Sequence, residues 1–534
     1  MARLGIDFGT TNTVVMMHDR GIFSVVHHAV KTGAGTIVQE VFPSSILIHR
    51  PSGRRWYGLE AERRFGQLGP DPDHVFVPSL KRQLRNYAEG RRVQAVVPGG
   101  DRRDETAELP YDLADELTGF LRALAESICQ NQRLSAGEPL EAVVTWPANA
   151  NGAQRHITRR CFRKAGFVVV DTLNEPTASA IELADCLTAG RGGKAFDGPR
   201  AVAVFDLGGG TFDASVVWIE DDRFEVLAAS GIEDLGGDDF DRVLLEMFLS
   251  AMGGAGEDLG PLTRYALLRQ ARAQKESIAA GTVRSLFLNP GDFGIRHPPV
   301  TIRPAAYADR IRPMLRPAID TLGRVIAQAA GRQPRVAAGP GLTIYLVGGS
   351  SRLPLVAEMV TAAFPECRVV LTDKPFTSVA MGAAICSTER VGYRDVFARH
   401  FGLIRLRDHG RAEMFDTVFS AGTPVPRRGE PPLERVAWYY PRHNIGHLKY
   451  LECTSLDGDG MPAAGVRGWS DVLFPYDPAL PLTASPGGAE IVSTDRFADQ
   501  PVCEIYRCDC DGVITVELRR PATGEARTYE IYRD

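Results

Sequence analysis

Ile6-Asp7-Phe8-Gly9-Thr10-Thr11 stands near the start of the chain, and Phe205-Asp206-Leu207-Gly208-Gly209-Gly210-Thr211 repeats its pattern much later. Each follows an apolar strand and leads into another β-prone run, Thr13 to Met17 and Phe212 to Ile219 respectively. Gly9 and Gly208 to Gly210 remove side chains where an anion must approach the backbone, and successive N–H groups in such turns form an anion-binding nest. Thr10, Thr11 and Thr211 add hydroxyl donors. Asp7 and Asp206, at the strand ends, cannot bind phosphate directly but can hold a hydrated Mg²⁺ that bridges it. One glycine-rich hairpin is weak evidence. Two matched ones, each with Asp before and Thr after, point to a duplicated lobe clamping a phosphate.

The surrounding pattern is α/β. Strands are expected at Ala2 to Ile6, Ala142 to Thr145, Val202 to Phe205 and Thr343 to Val347. Helices are expected at Asp112 to Asn131, Ala153 to Ala165, Thr177 to Asp185, Phe240 to Ala251 and Ala305 to Ala330. Pro313 and Pro317 predict a kink or break in the last. A third glycine site, Leu346 to Pro354, follows a strand and enters a helix; Gly348 and Gly349 would let a flat base or ribose lie against the backbone. No Gly-x-x-x-x-Gly-Lys-Ser/Thr sequence is present, and no Gly-x-Gly-x-x-Gly opens a helix after the first strand. Those absences argue against a P-loop and a dinucleotide fold.

The chain has 534 residues, 44% apolar and 24% charged, enough for several domains. Its net charge of -5 is spread without a basic block, which excludes a nucleic-acid groove. No apolar run is long enough to cross a bilayer. The segment Met1 to Asp7 runs straight into a strand without a secretory pattern, and nine dispersed cysteines argue for a reducing cytoplasm. Cys508 and Cys510 lack further ligands at zinc spacing and are read as packing or turn residues.

Several segments resemble the seventy-kilodalton heat-shock chaperone family, the DnaK-like proteins. They are Gly5 to Asn12, Ser79-Leu80-Lys81-Arg82, Thr145 to Ala148 with Ala153-Gln154-Arg155, Asn174-Glu175-Pro176-Thr177-Ala178, Phe205 to Asp213, Leu235 to Asp241 and Val347 to Pro354. Together they span most of residues 3 to 390. Actin and sugar kinases share the hairpins, but the Asn174 to Ala178 and Gly236 to Asp241 segments are closer to the chaperones. The resemblance implies duplicated actin-like ATPase lobes over 1–390, a linker at 391–402 and a small mostly-β domain at 403–534. It implies Mg-ATP and ADP as ligands. Gly9, Thr10, Thr11 and Asn12 fall on the first phosphate loop; Asp206, Gly208, Gly209, Gly210 and Thr211 fall on the second. Lys81 falls on the catalytic lysine and Glu175 on the carboxylate near the attacking water. Gly237, Gly348, Gly349, Ser350 and Arg352 fall among nucleotide-contacting positions, and Arg272 and Lys275 on the adenine-contacting helix. Pro147 and Arg155 match a pair that relays nucleotide state to the next domain.

Two departures concern the adenosine side. Phe376 and Thr377 occupy a segment where the family often has an acidic residue, and Ala279 replaces a serine of the adenine helix. In the expected linker, Asp395-Val396-Phe397 is interrupted by Arg399 and His400. The tail is faintly similar to the chaperone peptide-binding domain at Gly422 to Pro426 and at Cys510 to Val516, with Ala522 to Glu525. Ile514 to Leu518 alternates like a strand after the Asp511-Gly512 turn, Arg519 to Tyr532 reads as a further strand pair, and Thr454 to Asp499 reads as partly loop. No helical lid is expected after Asp534. The expected function is an ATP hydrolase controlling a β domain that takes peptide or protein clients, with a J-domain protein or nucleotide exchange factor as partners. A nucleotide-sensing scaffold with little turnover and a small-molecule kinase of the same superfold are the competing readings.

Overall fold

A computed structural model describes residues 3–531 apart from 33–34, 85–91, 99–105, 110, 133–137, 149, 190–199, 221–222, 258, 337–338, 408–411, 481 and 483–489. Ala2 and Tyr532, expected in strands, lie outside the described residues. The chain divides into two compact units, residues 1–149 with 157–392 and residues 150–156 with 393–534. Among the described residues no helix is long and apolar enough to cross a membrane.

The first unit is mixed α/β and holds two large sheets with the same strand plan. In one, β1 (Arg3–Phe8), β2 (Asn12–Asp19) and β3 (Ile22–Val25) form an antiparallel meander. A strand β4 (His74–Val77) belongs to a small neighbouring sheet. β5 (Leu140–Trp146) pairs parallel with β1, and β6 (Phe167–Asn174) pairs parallel with β5. In the other sheet, β7 (Arg200–Leu207), β8 (Phe212–Glu220) and β9 (Arg223–Ile232) repeat the meander. β10 (Leu342–Val347) and β11 (Arg368–Leu371) repeat the parallel extension. The runs in β7 and β8 are apolar without alternation because both faces are covered; all but one residue of each strand is buried. The duplicated hairpin motif therefore marks the same place in each sheet, the β1–β2 turn and the β7–β8 turn.

Helices pack against these sheets and the small sheets beside them. They include α1 (Gly58–Phe65), α2 (Leu113–Gln132), α3 (Glu175–Ala189), α4 (Gly237–Met252), α5 (Pro261–Ala279), α6 (Pro304–Arg332), α7 (Pro354–Ala363) and α8 (Ser378–Cys386). The helix expected near Ala153 spans Gly152–Lys164. Asp112 starts α2 by accepting a bond from the Ala114 N–H at 2.7 Å. Small residues let α8 lie close: a Cβ on Gly382 would strike the Ala178 carbonyl of α3, and one on Gly5 of β1 would strike the α8 backbone.

Of the kink or break expected at Pro313 and Pro317, the break does not occur; α6 runs as one helix over 29 residues. Both prolines face solvent, where water can satisfy the carbonyls they leave without a donor. The opposite face buries Tyr307, Ile311, Leu315, Leu322, Val325 and Ile326 in the core. At ~1.5–3 kcal/mol per large buried side chain, that burial outweighs the ~3 kcal/mol cost of each proline.

In the second unit, every named element within residues 393–531 is a strand. One sheet contains β12 (His400–Arg407), β13 (Ala412–Phe419), β15 (Ile445–Cys453) and β16 (Arg467–Pro475). The other contains β14 (Leu433–Tyr439), β17 (Val502–Cys508), β18 (Ile514–Arg520) and β19 (Glu525–Glu530). Phe401, Leu403, Tyr450, Phe474, Tyr506 and Val516 are among the residues of their shared core. The segment expected to be partly loop thus contains β16. Cys508 is buried in that core, whereas Cys510 sits by the Asp511-Gly512 turn, where Gly512 has φ +73°. Of the expected linker, His400 to Gly402 already belong to β12.

Candidate active site

Both hairpin turns are pinned from behind. In the first, the Ser44 hydroxyl donates to the Gly9 carbonyl at 2.8 Å and the Ser79 hydroxyl to the Thr10 carbonyl at 2.6 Å. In the second, the Gly208 carbonyl accepts from the Gly237 N–H at 2.9 Å and from the Ser350 hydroxyl at 2.9 Å; the Gly209 carbonyl accepts from the Asp238 N–H at 2.7 Å. These bonds set the turn shapes before any ligand arrives, and they bring α4 and the loop after β10 to the same spot. The glycines are required by space. A Cβ on Gly237 would sit 2.5 Å from the Ser350 Oγ and 2.8 Å from the Lys275 Nζ, and Gly348 has φ +83° with the Asp206 carboxylate beside it.

Between the turns lies an open cleft. Asp7, Gly9, Thr10, Thr11 and Asn12 line it from the first hairpin, and Asp206, Gly208, Gly209 and Thr211 from the second. Lys81, Glu175, Gly237, Arg272, Lys275, Gly348, Gly349 and Ser350 line it as well. Of the residues singled out by sequence, Gly210 is buried at the edge, where a Cβ would strike Arg82 and Thr10. Arg352 is exposed and does not line the cleft. Pro147 and Arg155 lie off the cleft; Arg155 Nε donates to the Ala150 carbonyl at 3.1 Å.

Lys81 comes from a single helical turn, Leu80–Gln83, capped by Ser79, whose Oγ accepts from the Arg82 N–H. Its ammonium is 2.6 Å from Glu175 Oε1, at the first residue of α3. Burial opposes the charge on Lys81, but Glu175 and Asp7 outweigh it and hold the ammonium above its ordinary value. The carboxylates around it are under strain of the opposite kind. Burial, reinforced by Glu175 and opposed by Lys81, lifts Asp7 to about 7. Burial, with Glu175, Asp213 and Asp7, pushes Asp206 well above the usual carboxylate range. Lys81 alone does not offset the charge these carboxylates carry when ionised, so the floor suits a cation. Among the described residues no three His, Cys, Asp or Glu side chains are grouped to cage a metal. The donor set therefore fits Mg²⁺ held by one or two carboxylates with water and ligand oxygens.

Farther out, charges knit the walls together. Arg82 Nη2 is 3.1 Å from Asp238, which also takes Arg272 Nη2 at 2.9 Å. Asp241 receives Arg272 Nε at 2.9 Å and Lys275 Nζ at 2.7 Å, and Lys275 also donates to the Gly237 carbonyl at 2.8 Å. Sequence reasoning gave Arg82 no role, although it adjoins Lys81 in the same motif. It also gave no site role to Val14, Asp238, Glu276, Leu353, Pro375 or Val379, which line the cleft, and carried Ala279 and Phe376 only as departures.

The sequence signature of the family described as Hsp70 protein matches residues 120–397. Three relatives share the name chaperone protein HscA homolog. That of Pseudomonas putida is 31% identical over 404 residues, covering 73% of this chain and 58% of the relative. That of Acidithiobacillus ferrooxidans is 30% identical over 440 residues, covering 79% and 64%. That of Burkholderia lata is 32% identical over 401 residues, covering 73% and 59%. The chain thus spans about three fifths of the length of these relatives. A family signature over more than half the chain, taking in the second large sheet and β5 and β6 of the first, means that the chain belongs to the Hsp70 protein family.

Proposed function

We propose that the chain is an ATP-driven chaperone whose first unit is a two-lobed, actin-like clamp on Mg-ATP and whose second unit takes peptide or protein clients. One observation carries the reading: Lys81 and Glu175 pair at 2.6 Å in a cleft that Asp7 and the buried Asp206 also line, between matched phosphate-type turns. Thr10, Thr11, Asn12 and Gly208 to Thr211 hold the phosphates. Asp7 and Asp206 hold Mg²⁺, through water. When bound, the ion spreads the negative charge of the phosphate oxygens and the carboxylates. Lys81 moves from Glu175 onto the terminal phosphoryl oxygens, and Glu175, so released, orients a water. That water's oxygen bonds to the terminal phosphorus as the bond to the bridging oxygen breaks, giving ADP and phosphate. Catalysis is positioning and charge neutralisation, so slow turnover is expected.

Closure of the clamp biases client affinity in the second unit, with Pro147 and Arg155 as relay residues. A J-domain protein and an exchange factor are the proposed partners, and the cytoplasm the proposed location. The test is phosphate release by the full chain with Mg-ATP, with and without a panel of unfolded peptides, beside peptide affinity in ATP and in ADP. Turnover that rises with peptide, and peptide affinity that differs between ATP and ADP, support the coupled chaperone. Equal affinities sink the coupling, and absent turnover sinks the ATPase.

A further inference from the structure

The cleft changes character along its length. Its floor is carboxylates, hydroxyls and glycine backbone, but its outer end is apolar. There Phe376, the one aromatic among the described lining residues, stands 50% exposed. It sits at the apex of a turn between β11 and α8, held by the Thr377 and Ser378 N–H groups donating to the Lys374 carbonyl at 3.2 and 3.1 Å. The ring lies against Gly349; a Cβ there would come within 3.0 Å of its Cε1. Leaving half of a phenylalanine in water at a cleft mouth forgoes burial that a flat ligand would supply.

The polar side chains nearby are already engaged. Arg272 is held by Asp238 and Asp241, Lys275 by Asp241 and the Gly237 carbonyl, and the Ser350 hydroxyl by the Gly208 carbonyl. Glu276 is exposed and acceptor-only, so it can take an N–H from either purine. Ala279 offers no hydrogen bond. Resting on the nucleotide-clamp reading, we infer that Phe376 is the stacking platform for the base, and that this chain recognises purines by area rather than by hydrogen bonds. Adenine and guanine nucleotides then bind with similar strength, because an apolar surface discriminates weakly where a hydrogen-bonding site discriminates steeply.

Calorimetry on the full chain tests this with Mg-ATP, Mg-GTP and inorganic tripolyphosphate, for wild type, Phe376→Ala and Phe376→Trp. Wild type is expected to hold ATP and GTP within about tenfold of each other. Phe376→Ala weakens both by about 5- to 150-fold, leaves tripolyphosphate within about twofold, and Phe376→Trp restores both. An exposed ring can be truncated without emptying a core, and an unchanged melting temperature checks that. ATP affinity within about twofold in Phe376→Ala, or a wild-type preference for ATP above about 100-fold, overturns the platform while leaving the phosphate clamp standing. Failure of wild type to bind ATP and tripolyphosphate at all overturns the clamp reading, and the platform with it.

Discussion

Tyr265 of α5 bridges the two halves of the first unit. Its ring meets Phe65 of α1 edge-on at 5.2 Å and Phe76 of β4 at 5.5 Å, within a small cluster apart from the two main cores. If the cleft opens by parting these halves, Tyr265→Ala removes two edge-to-face pairs from the closed form only. At ~0.5–1.5 kcal/mol per pair, closure loses about 1–3 kcal/mol. With 1.4 kcal/mol per tenfold, the open fraction rises about 5- to 150-fold. Nucleotide release should quicken by the same factor, because mutations at a fixed interface act mainly on dissociation. Stopped-flow release of a fluorescent ATP analogue, chased with unlabelled ATP, reads this directly. Tyr265→Phe keeps both ring contacts and should behave as wild type. A release rate within about twofold of wild type in Tyr265→Ala would refute the argument, since the pairs would then persist through opening or contribute nothing to closure.

Other consequences are independent of that motion. His28 is fully buried, its Nδ1 is 2.9 Å from the Ser127 hydroxyl, and burial, then His27, lowers its pKa to about 4. The unfolded chain takes up the proton near 6.5, so stability is unaffected above that pH. It falls as pH drops from 6.5 to 4, by about 2 kcal/mol at pH 5 and about 3 kcal/mol below pH 4. Urea midpoints for wild type and His28→Asn should converge as pH falls through this window; parallel profiles would refute it. Gly237→Ala places a methyl on Ser350 and Lys275, and should weaken Mg-ATP binding at least about tenfold while costing about 1–3 kcal/mol of stability; calorimetry with unchanged affinity would count against the tight turn. In the second unit, Glu504 is wholly buried, pairs with Arg405 and accepts the Tyr506 hydroxyl at 2.7 Å. Glu504→Ala should destabilise by about 3–5 kcal/mol in urea, and Arg405→Met should recover much of that in the double variant. A single-variant cost below about 1 kcal/mol would mean the network is not coupled.

The two hairpin turns that meet at the cleft were legible in sequence because their pattern is local. Asp-x-Gly turns, Thr hydroxyls and a strand on each side occupy a dozen residues, and their repetition exposed the matching strand plans of the two sheets. The outer end was not legible. Phe376 meets Gly349, and Arg82 meets Asp238, across chain distances that no periodicity reports. Arg352 reads as nucleotide-contacting because it shares a motif with Gly348 and Ser350; it is exposed at the end of the turn after β10. The α6 prolines do not end the helix, because they fall on its wet face, and sequence propensity alone does not say which face that is. In the second unit β16 hid within a segment rich in Gly, Pro and Asp, since exposed residues such as Asp471 alternate with buried ones such as Val472 for only a few positions.

Single-turnover phosphate release from Mg-ATP, by wild type and Lys81→Ala at matched nucleotide occupancy, tests the central claim most directly. The account predicts that Lys81→Ala binds Mg-ATP within about tenfold of wild type while releasing phosphate at least about 100-fold more slowly. Release within about threefold of wild type, or no release by wild type at all, would contradict it.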